Sequence, residues 1–109
     1  MSSLTVKSYR GDYKDNFNNS NIKLEDGSFI LIDSNVNRLY PQLTSGLDPD
    51  KVIVIKATEE NKSLKFCREM IACLLDKGVK KNHKLVGIGG GIIQDITGFV
   101  ASILFRGLE

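Results

Sequence analysis

Several residue types and segments are scarce or missing in this 109-residue sequence. It contains no tryptophan, two prolines, two cysteines and a single histidine. No apolar run approaches the roughly 20 residues of a membrane-spanning helix, and residues 1–7 lack the apolar core of a signal peptide. The net charge is +2, with no dense basic block. These features argue against a membrane or a nucleic acid as partner and predict a cytoplasmic location.

The cysteines and the histidine are too few and too far apart to predict a metal site or a catalytic residue. Cys67 and Cys73 lie six positions apart on one predicted helix, which favours reduced apolar side chains over a disulfide or a metal pair. His83 lies among lysines in a connecting segment. We therefore expect neither a catalytic nor a metal-binding role for it.

The composition is that of a soluble globular domain, with 41% hydrophobic and 26% charged residues. Three continuous apolar runs have the character of parallel strands covered on both faces. They occupy residues 29–32, 52–55 and 85–88. Because predicted helices alternate with them, the sequence predicts an α/β fold with a Rossmann-like parallel sheet flanked by helices.

Two helices are predicted between these strands. The first is short, carries Val36 and Leu39, and is capped by Ser34 or Asn35. The second runs from about residue 64 to Lys77. Its apolar stripe is formed by Leu64, Cys67, Ile71, Leu74 and Leu75, and Gly78 follows as a C-cap.

The N-terminal segment predicts a β-hairpin. Residues 4–9 alternate apolar and polar like a half-buried strand, and an irregular second strand is expected within residues 13–24. Residues 25–28 have the composition of a turn.

A glycine-rich turn follows the last apolar run. Gly89, Gly90 and Gly91 allow a tight turn without a Cβ in the way, and helical apolar spacing resumes at Ile92. This arrangement points backbone N–H groups toward an anion, which predicts a pyrophosphate cradle for a nucleotide. A plain turn between strand and helix is the alternative, because short glycine motifs produce false positives.

The turn has neither common nucleotide signature. A Walker-type loop needs Gly-Lys-Ser/Thr at the helix start, which is missing here. In a G-x-G-x-x-G pattern the third glycine would fall at Ile92 or Gln94. The acid that follows a strand, Asp33, precedes the glycines, whereas in the common dinucleotide fold it comes about 20 residues later. The sequence therefore predicts another topology.

Three segments are expected to meet at the carboxyl ends of the strands, where ligands of such sheets bind. They are Asp33, the turn 58–62 and the segment 89–95. This convergence strengthens the prediction of a nucleotide site.

These segments resemble the N-terminal part of the 3-dehydroquinate synthase family, among the sugar-phosphate cyclases. The match comprises the strand ending in Asp33, then Glu-Glu-Asn-Lys-Ser at 59–63, Gly-Gly-Gly-Ile-Ile-Gln-Asp at 89–95, and Thr-Gly-Phe-Val-Ala-Ser at 97–102 with Arg-Gly at 106–107. Order and spacing agree from about residue 29 onward. The final segment is the most specific, since the related iron-type alcohol and glycerol dehydrogenases are not expected to carry it.

The resemblance implies an NAD site. Asp33 would match the family's carboxylate at the adenine ribose, since a carboxylate can accept two ribose hydroxyls. Glu59 and Lys62 would match the Glu and Lys that hold the adenosine side.

The resemblance also implies roles for residues near the glycine turn. Gly89, Gly90 and Gly91, with Asp95, would match the turn at the pyrophosphate and nicotinamide. Arg106 would match an arginine near the substrate phosphate, which a guanidinium can bind bidentately.

Two positions depart from the family pattern. Thr58 stands where glycine usually precedes the Glu, so that turn is expected to differ. Gln94 stands where glycine usually precedes the Asp, which puts helix packing or the approach of the cofactor in doubt. Either departure would suit a divergent cyclase.

Family members are lyases that oxidise a sugar-phosphate alcohol with NAD, eliminate phosphate, reduce the ketone again and close a ring by aldol addition. A divalent metal, Zn or Co, polarises the reacting oxygens. Its ligands belong to a later helical domain, so the resemblance implies that residues 1–109 are an N-terminal NAD-binding portion without cyclase activity of their own.

Two alternatives stay open at this point. The chain could be the same part of a metal-dependent dehydrogenase, or a non-catalytic nucleotide-binding module. A bare sheet edge could also pair with a second copy, giving a homodimer.

Overall fold

The computed structural model describes residues 5–9, 28–80 and 83–107, and side chains within 28–80 and 83–104. In these ranges the strands are β1 (Thr5–Tyr9), β2 (Ser28–Asp33), β3 (Val52–Ile55) and β4 (Lys84–Ile88). The α-helices are α1 (Ser34–Leu39), α2 (Leu64–Asp76) and α3 (Gly91–Gly107). Short 3-10 turns lie at Pro41–Leu43, Pro49–Lys51 and Glu59–Asn61.

The strands form one parallel sheet in the order β1-β4-β2-β3. The register places Ile32 beside Ile88 on one side of β2 and Asp33 beside Ile55 on the other. The predicted α/β fold, a parallel sheet flanked by helices, is confirmed. The predicted first strand is also confirmed, over Thr5–Tyr9, and its parallel pairing with β4 adds a fourth strand. Its predicted hairpin partner, residues 13–24, lies outside the described residues.

Strand β2 lies at the centre of the core because both of its faces are covered. Phe29 and Leu31 contribute to the core on the side of α2 and α3. Ile30 and Ile32 contribute to the core on the side of α1. All four side chains are at most 1% exposed, which explains why β2 is a continuous apolar run rather than an alternating one.

The larger core layer fills the space between the sheet and helices α2 and α3. The burial of this layer holds α3 against the sheet. The buried side chains that α2 and α3 contribute are Cys67, Leu74, Ile93, Ile96, Val100, Ala101 and Leu104.

Helix α2 begins and ends at side chains and backbone conformations that suit helix termini. The Ser63 hydroxyl accepts the N–H of Phe66 at 3.1 Å, and Gly78 has the positive φ of 89° typical of a helix C-terminus. The predicted apolar stripe is too wide, because Leu64 and Leu75 are 60% and 50% exposed. Both cysteines are free thiols, and burial raises the pKa of the Cys67 thiol.

The predicted cap of α1 is wrong. Neither Ser34 nor Asn35 caps this helix; the Asp33 carboxylate does, accepting the Asn35 N–H at 2.8 Å. The helix follows β2 without an intervening loop, so the last strand residue is the one in position to cap. Leu39, predicted on the apolar face, is 60% exposed, whereas Val36 is buried.

Within the described ranges, no helix combines the length and the apolar character needed to cross a bilayer.

The packing between β4 and α3 predicts opposite effects of alanine at two glycines. A Cβ at Gly87 would lie 2.7 Å from the Thr97 hydroxyl and 3.1 Å from Gln94 Oε1, whereas a Cβ at Gly98 would meet nothing within 4 Å. We expect Gly87→Ala to lower the free energy of unfolding by about 1–3 kcal/mol through overpacking. Gly98→Ala should raise it by up to about 1 kcal/mol, because Gly98 lies within α3, where alanine is favoured over glycine.

Urea unfolding followed by circular dichroism measures both changes. The same effect at both positions, or a stabilised Gly87→Ala protein, would contradict this description of the contact between β4 and α3.

Candidate functional site

The candidate site lies where β2, β3 and β4 end. These strands are neighbours and run parallel, so the residues that follow them share one edge of the sheet. Asp33 ends β2, the 3-10 turn Glu59–Asn61 follows β3, and Gly89 and Gly90 follow β4. The structure therefore brings together the three segments that the sequence placed at this edge.

Asp33 and Gly89 lie against each other. The Asp33 Cβ is 3.0 Å from the position that a Cβ on Gly89 would occupy. Asp33 is partly exposed, and its Oδ1 is oriented by the Asn35 N–H. Since an ionised carboxylate has about four lone-pair sites, this capping bond leaves Asp33 the capacity to accept further hydrogen bonds.

Residue 89 must be glycine on steric grounds. Its φ is +156°, and a Cβ there would lie 2.6 Å from Ile93 Cγ1 and 2.9 Å from Ile93 Cβ. Ile93 is completely buried and cannot move aside without disturbing the core. At Gly90, in contrast, an added Cβ would meet nothing within 4 Å, and the residue is exposed. The turn is thus tightly packed on the core side and open on the other.

The first turn of α3 supplies backbone donors. The first intrahelical hydrogen bond runs from the Gln94 N–H to the Gly90 carbonyl, at 3.0 Å. The N–H groups of Gly91, Ile92 and Ile93 precede it and have no acceptor within the helix. The helix dipole adds a positive potential at this end, so the start of α3 has the properties of an anion site.

An ion pair links the turn after β3 to α3. Lys62 Nζ lies 2.8 Å from Asp95 Oδ2, and the two side chains are 48% and 58% exposed. The hydrogen bond to Asp95, its charge and, to a lesser degree, the charge of Glu59 raise the pKa of Lys62. The resemblance gives Lys62 and Asp95 separate ligand roles, whereas in the structure they bind each other. Exposed pairs contribute little to stability, so ligand could replace this one at small cost.

Thr58 does not disturb the turn that carries Glu59. Its backbone is extended, with φ of −121° and ψ of 156°, a conformation open to any residue. The Thr58 hydroxyl accepts the Asn61 N–H at 3.4 Å, and Asn61 Nδ2 donates to the Lys56 carbonyl at 2.7 Å. Threonine therefore caps the turn, and glycine is not needed at this position.

Gln94 has a contact that the sequence did not predict. Its Nε2 donates to the carbonyls of Gly87 and Gly89, at 3.1 Å each. Nearby, the buried Thr97 hydroxyl donates to the Ile93 carbonyl at 2.7 Å. The resemblance marked Gln94 only as a departure; a long amide side chain near the start of the helix, six residues after the end of β4, was the signal for this contact.

Arg106 lies in the last turn of α3, and its side chain is outside the described part of the chain. Its assignment to a substrate phosphate stays a prediction.

His83 has structural contacts. Its Nδ1 accepts the Lys80 N–H at 2.9 Å, and its ring packs against Phe29 with centroids 5.4 Å apart. Burial, followed by the charges of Lys51 and Lys80, lowers its pKa. Among the residues with described side chains, no group of three or more His, Cys, Asp or Glu could hold a metal ion.

The comparisons with known proteins identify the family. Residues 52–109, more than half of the chain, match the family model described as 3-dehydroquinate synthase N-terminal. This span includes the turn after β3 and the glycine turn. This match favours the 3-dehydroquinate synthase family over the related dehydrogenases.

Individual relatives agree with the family model. The 3-dehydroquinate synthase of Alkaliphilus metalliredigens is 34% identical over 88 residues, which are 77% of this chain and 24% of that protein. That of Clostridium tetani is 30% identical over 96 residues, 85% of this chain and 26% of that protein. That of Acidithiobacillus ferrooxidans is 38% identical over 84 residues, 72% and 23% of the two chains. The chain spans about a quarter of the length of these relatives. With its parallel sheet, its glycine turn and these matches, the chain belongs to the 3-dehydroquinate synthase family.

Proposed function

We propose that this chain is the NAD-binding part of a 3-dehydroquinate synthase-like cyclase, a lyase that eliminates phosphate from a sugar phosphate and closes a ring by intramolecular aldol addition. Family membership supports the reaction class. The observation that carries the NAD site is the contact between Asp33 and Gly89. It puts a carboxylate directly beside a bare backbone turn, the two groups that a ribose and a diphosphate need.

The residues present fit the cofactor. Asp33 would accept ribose hydroxyls, and its orientation is set in advance by the cap of α1. The amides at Gly90 and Gly91 would donate to the diphosphate, because the open side of the turn lets a ligand reach the backbone. A side chain at position 89 would displace either Ile93 or Asp33.

The turn after β3 supplies polar groups for the adenosine side of the cofactor. Lys62 lies at this edge, where it pairs with Asp95. Together with Glu59, which is exposed in the same turn, it would act on the adenosine side. NAD, when bound, supplies the transient oxidation that the reaction requires; these side chains bind and orient it.

The metal is proposed for the whole enzyme and not for these residues. The part of the chain with described side chains has no cluster of three metal ligands, and the one histidine, His83, hydrogen-bonds to the backbone in a connecting segment. We assign no step of the reaction to Zn or Co at this site. Arg106 is proposed to lie near the substrate phosphate.

The proposal predicts that the 109-residue chain binds NAD through Asp33. We expect Asp33→Asn to weaken NAD binding about 10-fold to 100-fold, since a hydrogen bond to a charged group contributes about 1.5–3 kcal/mol. Asparagine still caps a helix, so the free energy of unfolding should change little. Titration calorimetry measures the affinity.

Asp48 provides a matched control. It also caps a turn, accepting the Asp50 N–H at 3.0 Å, but it precedes β3 and so lies toward the opposite edge of the sheet. Asp48→Asn should leave the NAD affinity unchanged. Equal losses in both variants, or no NAD binding by the wild-type chain, would refute the proposed site.

A second prediction concerns activity. The purified 109-residue chain should form no 3-dehydroquinate from its sugar-phosphate precursor, with or without added zinc, because its described residues supply no metal cluster. Phosphate release and product formation are the assays, with the 3-dehydroquinate synthase of Clostridium tetani as positive control. Turnover by the chain alone would show that its own residues suffice for the reaction.

A further inference from the structure

Gln94 joins the glycine turn to the strand before it. This side chain belongs to the first turns of α3, yet its amide folds back beneath the turn and is partly buried there. One Nε2 group reaches two carbonyls, that of Gly87 within β4 and that of Gly89 just after it, each at 3.1 Å. The Gly87 carbonyl belongs to strand β4 of the sheet, so Gln94 ties the glycine turn to that strand.

The hydrogen bond to Gly89 fixes the orientation of one peptide group. The peptide bond between Gly89 and Gly90 is trans and therefore planar, with its C=O and N–H pointing in opposite directions. Because the carbonyl points to Gln94, the Gly90 N–H points away from it. Gly90 is exposed, and its surroundings are open.

A specific contact is needed to fix the orientation of this peptide group, because the turn consists of glycines. Glycine adopts positive and negative φ with similar ease, so the peptide between two glycines can rotate at little steric cost. A rotated peptide would turn the Gly89 carbonyl, instead of the Gly90 N–H, toward a bound anion. The carbonyl dipole would then repel the diphosphate.

We propose that Gln94 is a positioning residue for cofactor binding: by holding the Gly89 carbonyl, it keeps the Gly90 N–H directed at the diphosphate of NAD. Gln94 does not touch the cofactor and acts through the backbone. This inference rests on the proposed NAD site and adds to it the residue that orients the diphosphate donor.

The test compares two ligands that differ in the diphosphate. Gln94→Met keeps the length of the side chain and removes the amide donor. NAD and adenosine are titrated separately into the ¹⁵N-labelled 109-residue chain, and dissociation constants are taken from amide chemical shifts. We expect the variant to bind NAD about tenfold more weakly, equivalent to about 1.4 kcal/mol, and to bind adenosine within about twofold of wild type.

The other glutamine of the chain is the control. Gln42 is exposed in the 3-10 turn Pro41–Leu43, away from α3, and Gln42→Met should leave both affinities unchanged. If Gln94→Met does not fold, Gln94→Asn replaces it, since this variant keeps the amide but is one methylene too short to reach both carbonyls. The same selective loss is expected.

Three outcomes would overturn the inference. A variant that binds NAD as tightly as wild type shows that Gln94 does not position the turn, while the proposed NAD site stands. Parallel losses for NAD and adenosine show that Gln94 only supports the fold. A wild-type chain whose amide shifts do not respond to NAD removes the proposed function and this inference together.

Discussion

The structure depends on a close approach of three backbone segments at residue 89. Gly89, directly after β4, lies so near to Asp33 of β2 and to Ile93 of α3 that no Cβ fits between them. Burial of Ile93 and of the α3 side chains behind it holds the helix in place, so the contact is set by the core and not by the turn. One result concerns the backbone: only Gly89 and Gly90 separate the end of β4 from the start of α3. The other is chemical, because the backbone of Gly90 is left bare beside a carboxylate.

The remaining polar groups of the site follow from this contact. Asp33 ends the central strand and caps α1, so its carboxylate is fixed relative to the glycine turn. Lys62 reaches α3 from the turn after β3 and pairs with Asp95. Each group is held by a local hydrogen bond or ion pair that forms without any ligand. Such preorganisation lowers the entropy lost on binding. Apart from Asp33, these residues lie in the part of the chain that the family model matches.

The sequence predicted the sheet because residues 29–32 of β2 are all apolar, a pattern that requires cover on both faces. It also predicted the position of the glycine turn, since strand and helix patterns meet there. It did not predict the cap of α1, because the absence of a loop after β2 is decided by packing. The exposure of Leu39 and Leu64 was missed for a related reason: periodicity identifies an apolar face but not how much of it the neighbours cover. The contact of Gln94 depends on the side chain folding back onto the strand, which spacing alone does not reveal.

A crystal structure of this chain grown with NAD tests most directly whether the carboxyl edge of the sheet holds the cofactor. The diphosphate should lie within hydrogen-bond distance of the Gly90 and Gly91 amides, and the adenine ribose should contact the Asp33 carboxylate. The Gly89 carbonyl should still accept from Gln94. A cofactor bound elsewhere on the chain, or a turn whose carbonyls face the diphosphate, would contradict the assignment of this edge as the NAD site.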